Sequence, residues 1–239
     1  MPTIYKYRED DTTKSRSKIW DILRQRRLWL SSPLSFEDKS DMQLPITGLF
    51  DTPLKVAENR MVKISLRLDP AQDPRVVRHD VRLAFLDGEM LKDLQNSLGQ
   101  GLLDAVRRES GVVCFGATAD NAYLWKKYGG NSSGICFGFN SQRLGCKADP
   151  IEYVRELRTI RYFEASRAEI RRVACLTKRV EYRAEEEFRI IVPKRANTAL
   201  SFPKDALTSI TLGPAVDLEA RNQIITFAKR KFPKTLINS

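Results

Sequence analysis

Between residues 52 and 110 the apolar residues recur at helical spacing, whereas on both sides of that block they alternate or run in short β-prone bursts. That change of period decides the fold class. Within the block Leu54, Ala57, Met61, Ile64 and Leu68 share one face, with Thr52 able to cap and Pro53 suited to a first turn. A second helix runs through Val76, Val77 and Val81. A third holds Leu91, Leu94, Leu98 and Val106, its middle weakened by Gly99 and Gly101. Outside the block, TIYKYR at 3–8, LWLSSP at 28–33, VVCFGA at 112–117, GICFGF at 134–139, EFRIIVP at 187–193 and LTSITLG at 207–213 read as strands. RTIRYF at 158–163 and TLIN at 235–238 read as short ones, and residues 14–26, 122–128, 165–176 and 217–231 as helices. Helices and strands mix without a βαβ repeat. The expected fold is therefore α+β, with a mixed or antiparallel central sheet in a single domain over 1–239 and a mainly helical insertion at about 52–110. No G-x-G-x-x-G or Walker sequence is present, which excludes Rossmann and P-loop nucleotide sites.

Charge narrows the partners. Lys and Arg total 41 against 30 Asp and Glu, a net charge of +11, and such a surface attracts phosphates and polyanions. The excess gathers in one segment, from Arg155 through Arg158, Arg161 and Arg167 to Arg183. Within it Arg171, Arg172, Lys178 and Arg179 are the candidate nucleic-acid contacts. The plainer alternative is a solvated basic face that binds nothing. Cys114, Cys136, Cys146 and Cys175 form no C-x-x-C pair and His79 is the single histidine, so no metal is expected. A Ser-His-Asp or Cys-His arrangement would have only His79 to use. No apolar run approaches the ~18 residues that read as a membrane span, and the start MPTIYKYRED has no leader pattern. A soluble, cytoplasmic chain without membrane contact is the expectation.

Three constellations could carry chemistry. The first is Lys178, Tyr182, Glu185, Glu187 and Arg189. On a strand Glu185, Glu187 and Arg189 point one way, pairing carboxylates with a guanidinium, while Phe188, Ile190 and Val192 point into the core. A solvated face with cross-strand ion pairs fits the same pattern. The second is Trp125 and Tyr128, three apart on one helix face and able to stack on a flat ring, or equally to pack in the core. In the third, Tyr5 and Tyr7 share one strand face and Lys6 and Arg8 the other, with Ser31 and Phe36 in a later loop. An edge strand guarded by charge reads the same way.

In this order the motifs resemble the bacterial domain of unknown function 2971 family. The family's opening Y-K-Y strand is matched by Tyr5-Lys6-Tyr7, and its S-x-P-x-x-F-N-D loop by Ser31 to Asp38. Its C-F-S strand is matched by Cys114-Phe115-Gly116, M-W-x-x-Y-A by Leu124 to Gly129, and G-x-C-I-G-F by Gly134 to Phe139. K-x-x-x-W-x-x-E-x-E-x-R is matched by Lys178 to Arg189, and I-x-L-G by Ile210 to Gly213. Three departures stand out: Glu37 and Lys39 in the loop, Gly116 for the usual Ser, and Tyr182 for Trp.

The family's layout looks like that of ADP-ribosyltransferases, which implies a split sheet and an NAD site. On that resemblance Glu187, then Glu185, would be catalytic. Tyr128 or Trp125 would pack on nicotinamide, and Lys6, Arg8 or Arg189 would hold the pyrophosphate, with Tyr5, Tyr7 and Ser31 completing the cofactor set. A toxin or anti-phage role, with a protein partner from the same system, is implied in the same way. Two other readings stay open: a nucleic-acid-binding protein or nuclease, and a module that senses a nucleotide or binds a partner without turnover.

Overall fold

The computed structural model describes residues 3–14, 17–38, 41–47, 53–161 and 163–238. Thr52, expected as a cap, and the side chains of Leu68 and Leu91, expected on helix faces, lie outside the described residues. The strands are β1 (Thr3–Arg8), β2 (Arg27–Leu30), β3 (Ile46–Thr47), β4 (Gly111–Gly116), β5 (Ile135–Asn140), β6 (Ala148–Pro150), β7 (Glu152–Val154), β8 (Ile160–Arg161), β9 (Thr177–Arg179), β10 (Glu187–Val192), β11 (Thr198–Ser201), β12 (Leu207–Leu212) and β13 (Leu236–Asn238). The helices are α1 (Lys18–Trp20), α2 (Leu54–Leu68), α3 (Pro74–Leu86), α4 (Gly88–Glu109), α5 (Ala122–Tyr128), α6 (Arg167–Leu176) and α7 (Leu218–Lys231). The chain divides into two compact units: Met1–Met42, Arg107–Glu156 and Cys175–Ser239 form one, Gln43–Val106 and Leu157–Ala174 the other.

Among the described residues of the first unit, seven strands form one sheet in the order β13-β12-β5-β1-β4-β10-β6. All its pairings are antiparallel except β12 with β13, so the fold is α+β around a large mixed sheet. Ile4, Phe115, Phe137, Phe139, Ile190 and Ile210 face a core closed by Ile19, Ile22 and Leu23 and by Ala220, Ile224 and Ala228 of α7. Tyr7, Leu124 and Cys136 make a smaller cluster, with Tyr5 and Trp125 packed on it.

The sheet opens at one place. β1 pairs with β5 along six residues but with β4 only at Tyr5–Gly116. Further along β4, Val112 exchanges both backbone hydrogen bonds with Ser31, at 2.9 Å each. Between these two points Cys114 has no β1 residue in register, and the Lys6 amine donates to its carbonyl at 2.8 Å.

The helix expected over 14–26 is shorter and wider. The Asp11 carboxylate accepts from the N–H of Lys18 and Ile19, and Ser17 Oγ accepts from Trp20 N–H, so the helix starts at Lys18. A single wide turn, Asp21–Gln25, follows and ends where Arg26 takes a left-handed φ of 52°.

The second unit is mainly helical. Asp73 caps α3 by accepting from Arg75 N–H at 2.7 Å, with Pro74 in the first turn. Met61, Val62, Val77 and Val81 form its buried centre, with Ile64, Phe85, Leu94 and Leu98 against them. Gly99 has a packing role: a Cβ there would stand 3.0 Å from Cβ of Ile46, on the strand β3 that pairs in parallel with β8. Among the described residues no helix is long and apolar enough to cross a membrane.

Candidate functional site

Where β1 and β4 part, the first unit holds a cavity of about 560 Å³, inside the range of ~300–1,000 Å³ usual for small-molecule sites. Consecutive residues of both strands, Tyr5 to Arg8 and Val112 to Gly116, line it, as expected of a gap between strands.

The Lys178–Arg189 stretch folds into one ion network in this cavity. Lys178, on β9, places Nζ 2.6 Å from Glu185, 3.0 Å from Glu187 and 3.5 Å from Asp41. Its ammonium also stands 5.1 Å from the centroid of the Tyr182 ring, within cation–π range. Arg189 donates from Nε to Glu187 at 2.7 Å, from its terminal nitrogens to both oxygens of Asp41 at 2.5 and 3.1 Å, and to the Cys175 carbonyl at 3.0 Å. Lys127, one residue before the end of α5, donates to Glu185 at 2.8 Å. Three carboxylates thus meet three cations. Glu186 makes the arrangement possible: its left-handed backbone (φ 43°) lets Glu185, before the strand, and Glu187, on β10, face the same lysine.

Burial alone would raise the Glu187 carboxyl, but the Arg189 and Lys178 charges outweigh it and hold its pKa well below the ordinary carboxylate range. Burial likewise works against the Lys178 ammonium, yet Glu187 and Asp41 hold its pKa above the usual lysine value. For Lys127 burial again opposes the charge and Glu185 prevails. Burial, then the Glu185 charge, pushes the Tyr128 phenol up to about 12. Cys114 is pushed to about 12 by burial and then by Glu187, so it stays a thiol and is no nucleophile.

The cations of β1 are different. The Nε of Arg8 is buried without a hydrogen-bond partner among the described residues. Lys6 bonds a carbonyl and no carboxylate among the described residues. Burial first, and the Arg8 charge second, lower its pKa from 10.5 to about 7. Between those values the unfolded chain holds a proton that the folded chain has shed, so stability rises with pH through this window, and the cost is complete below pH 7. Lys6→Met removes that cost but leaves the Cys114 carbonyl without the amine. The variant is expected to be about 1–3 kcal/mol more stable than the parent at acidic pH, with the difference shrinking as pH approaches the normal lysine range. Thermal unfolding of both proteins at two pH values measures this, and a pH-independent difference would refute it.

Of the residues singled out in the sequence, Tyr5, Lys6, Tyr7, Arg8, Ser31, Tyr128, Lys178, Glu185, Glu187 and Arg189 all line this cavity. Three assigned roles need correction. Trp125 is not in the lining: it packs edge-on against Tyr7, ring centroids 5.2 Å apart, and donates Nε1 to the Ala119 carbonyl at 2.9 Å. Arg189 is 1% exposed, with its guanidinium taken by Glu187, Asp41 and Cys175, so it organises the site and does not grip a pyrophosphate. Lys178 is buried in the network and offers no surface contact to nucleic acid. Among the other basic candidates, Arg172 and Arg179 are exposed and Arg171 is half-buried.

Asp41 and Lys127 went unmarked in the sequence, because one of several acids in a polar loop and a lysine on an exposed-looking helix turn carry no pattern. Tyr153, whose hydroxyl accepts from Glu187 N–H at 2.9 Å, is a third. Gly116, where the family pattern has Ser, abuts Leu124: any Cβ there would collide with Leu124 Cδ1, which closes this wall of the cavity without a hydroxyl.

No known family model, curated protein or solved structure matches this chain.

Proposed function

We propose that the cavity binds NAD and that the protein cleaves its nicotinamide–ribose bond, passing ADP-ribose to a nucleic acid, a protein or water. The observation that carries this reading is the gap between β1 and β4, where an ionised carboxylate network faces Lys6 and Arg8, neither of which has a carboxylate within ion-pair distance among the described residues. Breaking the nicotinamide–ribose bond develops positive charge on the sugar, which a fixed carboxylate stabilises. Glu187, kept ionised by Arg189 and Lys178, suits that part, with Glu185 beside it. Arg8, whose Nε has no hydrogen-bond partner among the described residues, would suit a phosphate oxygen. Tyr128, 44% exposed in the lining, offers a ring face to a flat heterocycle. The resemblance to the domain of unknown function 2971 family, and through it to ADP-ribosyltransferases, supports the same choice, and a toxin or anti-phage role follows from that resemblance alone. The exposed Arg179, in the same unit as the cavity, favours a polyanionic acceptor.

Purified protein incubated with NAD, alone and with DNA, RNA or cell extract, is expected to release nicotinamide, measured by chromatography. A folded protein that leaves NAD intact under all four conditions would overturn the proposal. A thermal shift with NAD but no product would point instead to a nucleotide-sensing module, and salt-sensitive DNA binding without NAD cleavage to a nucleic-acid-binding protein.

A further inference from the structure

Among the cations lining the cavity, Lys127, Lys178 and Arg189 are each held by carboxylates at 3.0 Å or less. Lys6 is not. Its amine lies in the opening between β1 and β4, fixed by one hydrogen bond to the Cys114 carbonyl. The cavity around it carries many charges, Asp11, Lys14, Asp41, Lys178, Glu185 and Arg189 among them. Arg8 on its own strand and Lys18 of α1 oppose a proton on Lys6, while Glu187 of β10 favours one. The Cys114 thiol of β4 is held protonated, and β5 presents uncharged Phe137 in register with Lys6. Lys127 and Tyr128 of α5 line the same cavity. With a pKa of about 7, roughly half of the molecules carry a free amine at neutral pH.

We propose that Lys6 is the general base of the site, taking the proton from the acceptor as the acceptor attacks C1′ of the NAD ribose. This rests on the NAD reading. The acceptor O–H or N–H gives its proton to Lys6 Nζ, and a bond forms between that acceptor atom and C1′. The C1′–nitrogen bond to nicotinamide breaks, its electron pair leaving with the ring, so the pyridinium departs as neutral nicotinamide and Lys6 becomes an ammonium. One N–H of the neutral amine still serves the Cys114 carbonyl, and the lone pair is left for the acceptor. Glu187 cannot do this work, because its neighbours hold its pKa far below neutral. The two groups therefore have separate roles, Glu187 stabilising charge and Lys6 moving the proton.

The test uses the full chain with Lys6→Met and Lys6→Arg, following nicotinamide release from NAD between about pH 5.5 and 9, where a general base should show its titration. Competitive labelling of the parent with acetic anhydride, read by mass spectrometry, reports the Lys6 titration independently of turnover. The parent is expected to show an acidic limb in kcat/KM with a midpoint near 7, matching the labelling midpoint. Both variants should lose that limb and about 100-fold in kcat, with KM little changed, because neither methionine nor arginine can accept the proton. Variants that keep the limb or the rate would overturn the base role while leaving the NAD reading standing. A labelling midpoint in the ordinary lysine range would overturn it as well. A parent that releases no nicotinamide at any pH overturns the NAD reading and the base role with it, and the labelling then still decides whether Lys6 is a free amine.

Discussion

Replacing Arg189 by methionine should cost the fold about 3–5 kcal/mol, since removing one partner of a buried ionic network strands the others. Arg189 is among the largest fully buried side chains of the molecule. Its loss would leave Glu187 with Lys178 and the Cys114 thiol, Asp41 with Lys178 at 3.5 Å, and the Cys175 carbonyl without its guanidinium donor. The same change should weaken the acid dependence of stability. Glu187 has a depressed pKa in the folded state, so its contribution is present above the ordinary 4.5 and is lost as pH falls below it. Urea unfolding of parent and variant at neutral and acidic pH reads both effects. A variant within about 1 kcal/mol of the parent, the range of ordinary surface ion pairs, would show that the network contributes little.

How far the sequence foretold this arrangement depends on how local each signal was. The strand cores of β1, β4, β5, β10 and β12 were legible because β-branched and aromatic runs declare themselves, and the helical block declared itself by its period. β6, β7, β9 and β11 went unread: three or four residues each, they are strands only because partners distant in the chain pair with them, β10 with β6, β9 with β7 and β2 with β11. The Lys178–Arg189 motif was legible as chemistry but misread in geometry. Alternation along one strand was expected to align Glu185 with Glu187, whereas Glu185 lies in a turn before β10 and Glu186 in a left-handed conformation brings the two carboxylates together. Trp125 illustrates the opposite failure. Helical spacing correctly gave it a face shared with Tyr128, but that spacing cannot tell which aromatic meets Tyr7 and which meets the cavity.

Glu187→Gln is expected to reduce nicotinamide release about 10²–10³-fold, the usual loss when a preorganised electrostatic group is removed from a developing charge. The substitution keeps the shape of the side chain and one oxygen able to accept from Arg189 Nε, while its NH2 group replaces the oxygen that accepts from Lys178 and Arg189. What also changes is charge. Asp41, Glu185 and Glu187 balance Lys127, Lys178 and Arg189, and the amide leaves that cluster one positive charge in excess, which in the proposed reaction would face a ribose that itself becomes positive. The loss should therefore fall on kcat, with KM for NAD little altered, because in the proposed site substrate binding would draw on Arg8 and Tyr128. The two variants should also separate by pH: Glu187→Gln should retain the acidic limb near 7 that belongs to Lys6, and Lys6→Met should abolish it. Circular dichroism at the assay temperature establishes that the variant is folded. A folded Glu187→Gln protein with the parent's turnover would mean that the carboxylate network only shapes the wall of the cavity, and that the sugar's charge is met elsewhere.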